Sequence, residues 1–403
     1  MKSVGGIALA VVILLVMVTV HEFGHYVAGK ILGFKINEFS VGFGPAILKK
    51  RSKKTGEIFA LRIIPLGGYC AFDGEDEYEE EPEKPTQTTK KEQEEPFEEL
   101  TEKEEKTEIP TQEQEETYPE PKGERFNDQA PWKRIIVLIA GATMNYLLAV
   151  LLLFIMFGAY GCIHSYVAIY QGVEVEMPAF EEERIGYRDI VLSVDGKDIY
   201  LASDYGDALS GHKQGDEVVI EILRKNKAGE WTEKTFRYTL QADCEFANMT
   251  DLRAAYAALG LDGAKYAFAS VTMKEGFWKT IGSSFVYSFK IGGTVLRSLG
   301  ELITGKLGIN AMGGPVTTIS VTAQAAANGM LSFLNIAAFI GVNLAVFNLL
   351  PIPALDGCKV IFCIIEWIRK KPVNRKVETM IHFIGIIFLF AFAILVDVLQ
   401  WIL

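Results

Sequence analysis

Hydrophobic positions in this chain gather into long blocks instead of spreading evenly. Four stretches approach the roughly 20 apolar residues that carry a helix across a bilayer. They run from 5 to about 29, from 135 to about 163, from 331 to 350 and from 380 to 403. The first leads straight into His-Glu-Phe-Gly-His with no small-residue cleavage site, so it reads as a span and not as a signal peptide. After it, two apolar runs at 41–50 and 57–69 flank Lys53-Lys54-Thr55-Gly56, which predicts a β-hairpin with a basic turn. The hairpin is too apolar for a wet surface and is expected to pack beside the spans, where non-helical backbone survives only if buried in protein or lining a cavity. Residues 164–265 change period. Strand-like alternation over 189–199 breaks at Asp195-Gly196, and 217–223 and 235–240 form a second hairpin across Lys227-Ala228-Gly229. This predicts a compact β-rich domain. From 277 to 303 polar and apolar residues mix at helical spacing, which predicts an amphipathic helix on the outer membrane surface.

The expected order is therefore a first span (1–30), a membrane-associated hairpin (31–74), a polar insert (75–128), a second span (131–163) and a β domain (164–265). An amphipathic helix with a juxtamembrane segment (276–330), a third span (331–357) and a fourth (378–403) follow. The fold class is a multi-pass α-helical membrane protein with four transmembrane helices.

Composition refines this picture at two points. Half the chain is apolar (49%) and its mean hydropathy is +0.19, which excludes a disordered or collagen-like chain. Five cysteines without metal-ligand spacing give no disulfide framework. The net charge of −11 is misleading: residues 73–124 hold 22 acidic and 6 basic side chains, and the remainder is mildly basic. That insert has almost no apolar content and is expected to be disordered. Nothing supports nucleic-acid binding. Basic clusters at Lys49–Lys54, at Lys133-Arg134 and from Arg369 to Lys376 fall on one side if the spans alternate, so that side is cytoplasmic. The β domain then lies outside.

His21-Glu22-Phe23-Gly24-His25 sits inside the first apolar run. Residues four apart share a helix face, so both imidazoles can bind one metal ion with Glu22 to its side. Ionisable groups within a span are costly and rarely idle. A hydrolytic zinc needs a third protein ligand and an open position. At the end of the third span, Asn348-Leu349-Leu350-Pro351-Ile352-Pro353-Ala354-Leu355-Asp356-Gly357 breaks its helix at two prolines and presents Asp356 at membrane depth. Asp356 and the histidines all lie toward the cytoplasmic ends of their spans. A turn or capping carboxylate is the other reading of Asp356.

The order of these motifs resembles the site-2 protease family of intramembrane zinc metalloproteases, in its bacterial branch with a PDZ domain, typified by the regulator-of-sigma-E protease. Supporting strings are Gly42-Phe43-Gly44-Pro45, Ile64-Pro65-Leu66-Gly67-Gly68-Tyr69, Gly313-Gly314-Pro315-Val316 and the Asn348 to Gly357 segment. The resemblance implies Zn2+ held by His21, His25 and Asp356, with Glu22 as the catalytic glutamate. It implies substrate binding at Asn348, assisted by Asn343, and at the hairpin, including Ile63, Gly67 and Gly68, whose strand 57–69 offers a backbone edge to an unwound substrate. It also implies single-pass membrane proteins as substrates, such as anti-sigma factors and signal-peptide remnants, cut after a first extracytoplasmic cleavage. The β domain departs from the PDZ pattern at Glu181-Glu182-Glu183-Arg184 and is expected to act as a size filter. The competing classes are an ion transporter using Asp356 and Asp397, and an inactive PDZ-like membrane scaffold.

Overall fold

The computed structural model describes residues 4–75, 118–248, 251–308 and 312–402. Most of the acidic insert expected at 75–128 lies outside the described residues. Among the described residues four helices are long and apolar enough to cross a membrane: α1 (Val4–Leu32), α2 (Pro131–Tyr160), α7 (Met330–Asn348) and α9 (Arg375–Ile402). α2 starts on a proline, whose missing amide costs nothing in a first turn, and ends at Gly161 in the left-handed region. α1, α2 and α7 approach closely through small residues. A Cβ at Gly24 would lie 2.5 Å from the Ala140 carbonyl oxygen, and one at Gly341 3.0 Å from the Ala149 Cβ. Close approach of this kind substitutes dispersion and backbone proximity for the hydrophobic drive that lipid does not supply.

β1 (Ile36–Arg51) and β2 (Ile58–Phe72) occupy the expected hairpin, but each doubles back on itself, at 42–45 and 65–67. Residues 38–41 pair with 68–71 on one side and with 58–61 on the other, and 58–61 pair again with 48–51. Arg62 staples the fold, donating to Glu38 Oε1 at 2.5 Å, Ser40 Oγ at 2.8 Å and the Gly44 carbonyl at 2.7 Å. The sheet is tied to α1 by the buried Glu57, which accepts from Lys30 Nζ (2.5 Å) and Tyr26 Oη (3.0 Å). The free backbone edge expected along 57–69 is therefore corrected: 58–61 is paired on both sides, and the outer segments of the sheet are 48–51 and 68–71, of which 68–71 is the one beside α1 and Glu22.

Residues 118–128, assigned to the insert by composition, are ordered against this sheet. Phe126 packs between Phe34 and Phe72 with ring centroids 5.5 and 5.4 Å away, and Lys35 donates to the Glu124 carbonyl. Backbone bonds from Glu124 to the Gly33 carbonyl and from Phe126 to the Asp73 carbonyl add to this anchor.

The second unit is a six-stranded sheet of order β7-β6-β4-β3-β8 with β5 paired to β4. Its strands are β3 (Cys162–Ile169), β4 (Ile190–Val194), β5 (Lys197–Asp198), β6 (Glu217–Lys225), β7 (Trp231–Thr239) and β8 (Tyr266–Met273). Two short helices, α3 (Ser203–Leu209) and α4 (Arg253–Ala258), close a core that includes Val191, Ile199, Tyr205, Leu209, Ile220 and Phe236. Boundaries differ from expectation at this unit and at the third span, where α7 ends at Asn348 instead of 357. The second span ends at Tyr160 instead of 163, and the β domain runs from 162 to 273 instead of 164 to 265. β3 begins with four consecutive buried residues, so its apolar start is continuous with α2 in sequence. The Glu181 to Arg184 loop is pinned by the buried Arg224, which pairs with Asp189 and donates to the carbonyls of Ala179, Glu182 and Arg184.

α5 (Phe277–Ile303) matches the expected amphipathic helix in extent. Its small polar residues Thr280, Ser283, Ser284 and Ser288 are buried, whereas Trp278 is 81% and Phe289 78% exposed. The buried face packs on α2 and α7: Tyr146 Oη meets Ser288 Oγ at 2.9 Å, and Tyr287 stacks edge-on with Phe157. Two further helices were not expected. α6 (Pro315–Ala327) packs on α1, and α8 (Asp356–Arg369) follows α7. Asp397 of α9 caps α6, accepting from the Val316 and Thr317 amides at 3.0 and 3.1 Å and from Thr317 Oγ1 at 2.9 Å. Its carboxylate is committed to a helix N-terminus, which removes it as an ion site for transport.

Candidate metal centre between the first, second and third spans

His21 and His25 stand one turn apart on α1 and are 9% and 7% exposed. His25 Nδ1 donates to the Val137 carbonyl of α2 at 2.8 Å, which leaves Nε2 as the unprotonated nitrogen. Asn348, at the end of α7, brings its side-chain amide to 3.4 Å from His21 Nδ1. The atom of Asn348 that faces this ring nitrogen is its amide nitrogen, Nδ2. Asp356 is the first residue of α8 and sends Oδ2 to 3.1 Å from His21 Nε2 and 3.4 Å from His25 Nε2. The two Nε2 atoms are themselves 3.1 Å apart.

This triangle fits a zinc ion. Bonds of about 2.0–2.2 Å in tetrahedral geometry separate neighbouring ligands by about 3.3 Å, close to all three distances. Asp356 Oδ2 is buried and has no hydrogen-bond donor among the described residues, which is how a carboxylate oxygen poised for a cation looks. The three residues are also the set of His, Cys, Asp and Glu among the described residues whose donor atoms fall together closely enough for a metal, all within 4.8 Å of one another.

Local sequence explains why the three side chains meet. Gly357 lies so close to the Leu349 and Leu350 carbonyl groups that a Cβ there would collide with backbone, so the turn into α8 closes only with glycine after Asp356. Gly141 of α2 faces both imidazoles, and a Cβ there would sit 2.7 Å from His21 Cε1 and against His25 Nε2. Glu22 stands on the neighbouring face of α1. Its carboxylate accepts from the Cys70 backbone amide of β2 and feels the charges of His25, His21 and Asp356. A Cβ at Gly68 would lie 3.3 Å from Glu22 Cγ, so this outer edge of the sheet runs past the glutamate.

Of the residues singled out by sequence, His21, Glu22, His25, Asp356, Asn348 and Gly68 come together here. Gly67 lies one residue along, with φ +106° and packed against the Phe43 ring. Ile63 is 60% exposed on the doubled-back part of β2. Asn343 has a buried Oδ1 with no partner among the described residues, and no contact brings it to the histidines. Sequence reasoning missed Gly141, the Val137 carbonyl and the Cys70 amide. The first had a signal, since Ala140-Gly141-Ala142 is a small-residue cluster inside an apolar span, where helices approach closely. The other two are backbone groups.

A family model for peptidase family M50 matches residues 9–392. The chain belongs to peptidase family M50, the site-2 protease family. It is similar to the zinc metalloprotease RasP of Bacillus licheniformis, 26% identical with 93% of each chain covered. It is also similar to the regulator of sigma-W protease RasP of Bacillus subtilis, at 26% identity over 93% of this chain and 92% of that one. The zinc metalloprotease RasP of Oceanobacillus iheyensis is 25% identical over 94% and 95%. The family expected from the motifs is thus the family found: this M50 member is a zinc-dependent membrane metalloprotease with several membrane helices.

Proposed function

We propose that the protein is an intramembrane endopeptidase in which His21, His25 and Asp356 hold Zn2+ and Glu22 is the general base. Its substrates are single-pass membrane proteins, cut within their transmembrane segments after a first cleavage outside. The convergence of two histidines and a carboxylate among the spans, with Glu22 beside them, carries this reading. Zinc supplies a Lewis acid for the scissile carbonyl and acidifies the attacking water. Glu22 takes the water's proton and delivers it to the leaving amide nitrogen, with the Cys70 amide orienting its carboxylate. The outer edge at 68–71 accepts the substrate as an added strand, so that backbone bonds broken on unwinding a helix in lipid are replaced. Asn348 fixes the extended segment beside His21. Asn343, Ile63 and Gly67 shape the approach to that edge.

The site lies toward the cytoplasmic side and the β domain outside, where it turns away substrates that still carry a bulky ectodomain. Anti-sigma factors and signal-peptide remnants are the substrate classes. The sigma-W regulator named among the relatives favours the first.

The test is cleavage of a model single-pass substrate by the purified protein, with its zinc content. Glu22→Gln should lose activity by roughly 10²–10⁴-fold and keep zinc, because Glu22 moves protons without binding metal. His21→Ala, His25→Ala and Asp356→Ala should lose both. Full activity in Glu22→Gln would sink the reading.

A further inference from the structure

We propose that His382 of α9 is a positioning residue for the active-site turn: by accepting the Ala354 amide it fixes where Asp356 stands relative to His21 and His25. The inference rests on Asp356 being a metal ligand.

The turn at 349–355 joins α7 to α8, and of its amides the one at Ala354 makes no backbone hydrogen bond among the described residues, while Leu349 donates to the Val346 carbonyl. Leu350 donates to Phe347, Ile352 to Leu350 and Leu355 to Ile352, while Pro351 and Pro353 have no amide to give. Ala354 stands at φ +80°, in the left-handed region that an L side chain disfavours. Such a conformation persists only where the surroundings over-determine it. Two contacts from α9 do so. The Ala354 amide donates to His382 Nδ1 at 3.1 Å, a bond between residues 28 apart in sequence. Three residues further along α9, Gly385 admits Pro353 so closely that a Cβ would lie 2.6 Å from the Pro353 carbonyl carbon. The imidazole is also backed by Phe362 of α8, with ring centroids 5.9 Å apart.

α9 gives no ligand atom to the triangle of His21, His25 and Asp356, yet it grips the turn two residues before Asp356. A backbone rotation at Ala354 would swing the carboxylate off the two Nε2 atoms it now meets at 3.1 and 3.4 Å. The placement also accounts for an ionisable residue in an apolar stretch of α9. Its neighbours Phe383, Ile384, Ile386 and Ile387 are exposed, and ionisable side chains in spans turn toward protein and are rarely idle. Accepting at Nδ1 uses the neutral tautomer with its proton on Nε2.

Co2+ in place of zinc reports ligand geometry through its visible bands without any turnover. In the full-length detergent-solubilised protein, His382→Leu should displace and weaken those bands. It should also lower kcat by about tenfold, the usual loss when support behind a ligand is removed. KM should stay unchanged, because the substrate edge at 68–71 is untouched. His382→Asn, whose Oδ1 can accept the same amide, should restore bands and kcat. Gly385→Ala, which pushes Pro353 while leaving the imidazole in place, should reproduce the His382→Leu spectrum and covers the case in which that variant does not fold. Wild-type bands and kcat in His382→Leu, or in Gly385→Ala, would overturn the proposal. Asp356→Asn separates the two levels. If it loses the Co2+ bands while His382→Leu keeps them, only the positioning role fails; if it keeps them, Asp356 is not a ligand and both fall.

Discussion

At Gly141 the α2 backbone comes up against both imidazoles, and the side chains it meets have nowhere to go. His25 is pinned through Nδ1 to Val137, one turn earlier on the same helix, and His21 is bounded by Asn348. A methyl group at Gly141, 2.7 Å from His21 Cε1, must push a ring or separate α1 from α2. Overpacking of this kind costs about 1–3 kcal/mol, and here the strain falls on the ligands. Gly141→Ala should therefore bind zinc more weakly and cleave less, while its β domain stays folded. Chelator competition checks the first point, and wild-type zinc affinity would show that the rings have room. This residue explains what was legible at its scale. His21, Glu22, His25 and Asp356 could be read from sequence because metal chemistry restricts the residue types and helix geometry fixes the four-residue spacing. Gly141 acts by lacking a side chain, and Val137 and Cys70 act through their backbones, so neither chemistry nor spacing marks them.

Elements were legible where one physical rule decided them. Length and apolarity alone found the four spans, because no partner is needed to make a bilayer-crossing helix. Rules failed where a partner decides. β3 reads as an extension of α2 because much of it is buried, and β1 and β2 double back at glycines inside runs that local pattern reads as continuous strands. The junction of β3 with α5 carries a prediction of its own. His164 of β3 is buried, with Nε2 3.4 Å from Glu275 Oε1. Glu275 also pairs with Lys279 at 2.9 Å, and Asp198 and Tyr200 face the imidazole from the β5 side. Burial holds the His164 pKa below its ordinary value, against the pull of Glu275. The unfolded chain then takes up a proton as pH falls through about 6.5, before the folded one does. Stability from this group is complete above that pH and declines below it, by at most about 1.4 kcal/mol per pH unit. The melting temperature should drop between pH 7.5 and 5.5, and His164→Gln should flatten the drop. An equal drop in His164→Gln would assign the acid sensitivity to other groups.

Across the whole molecule, charge pairs tie together its two ends. At one end Lys359 of α8 pairs with Glu75 beyond β2 at 2.6 Å, and Glu366 of α8 joins Arg134 of α2 to Arg375 of α9. At the other, Lys290 and Arg297 of α5 pair with Asp204 and Asp207 of the β domain. The basic clusters that set orientation all belong to the first end, on the turn between β1 and β2, at the start of α2 and between α8 and α9. With the basic residues on a single face, the positive-inside rule predicts that the β domain lies outside, as proposed above. Native thiols cannot report this, since Cys70, Cys162, Cys244, Cys358 and Cys363 are all free and buried. Introduced ones can. Lys54, in the turn between β1 and β2, and Lys371, between α8 and α9, are exposed, as is Lys227 in the β6–β7 turn. With a membrane-impermeant maleimide on intact cells, Lys227→Cys should label, whereas Lys54→Cys and Lys371→Cys should label only after the membrane is opened. The buried native thiols should contribute little to either signal. Labelling of Lys54→Cys from outside would invert the molecule. The β domain would then stand in the cytoplasm, unable to screen ectodomains, and the size-filter role proposed for it would be lost along with the orientation.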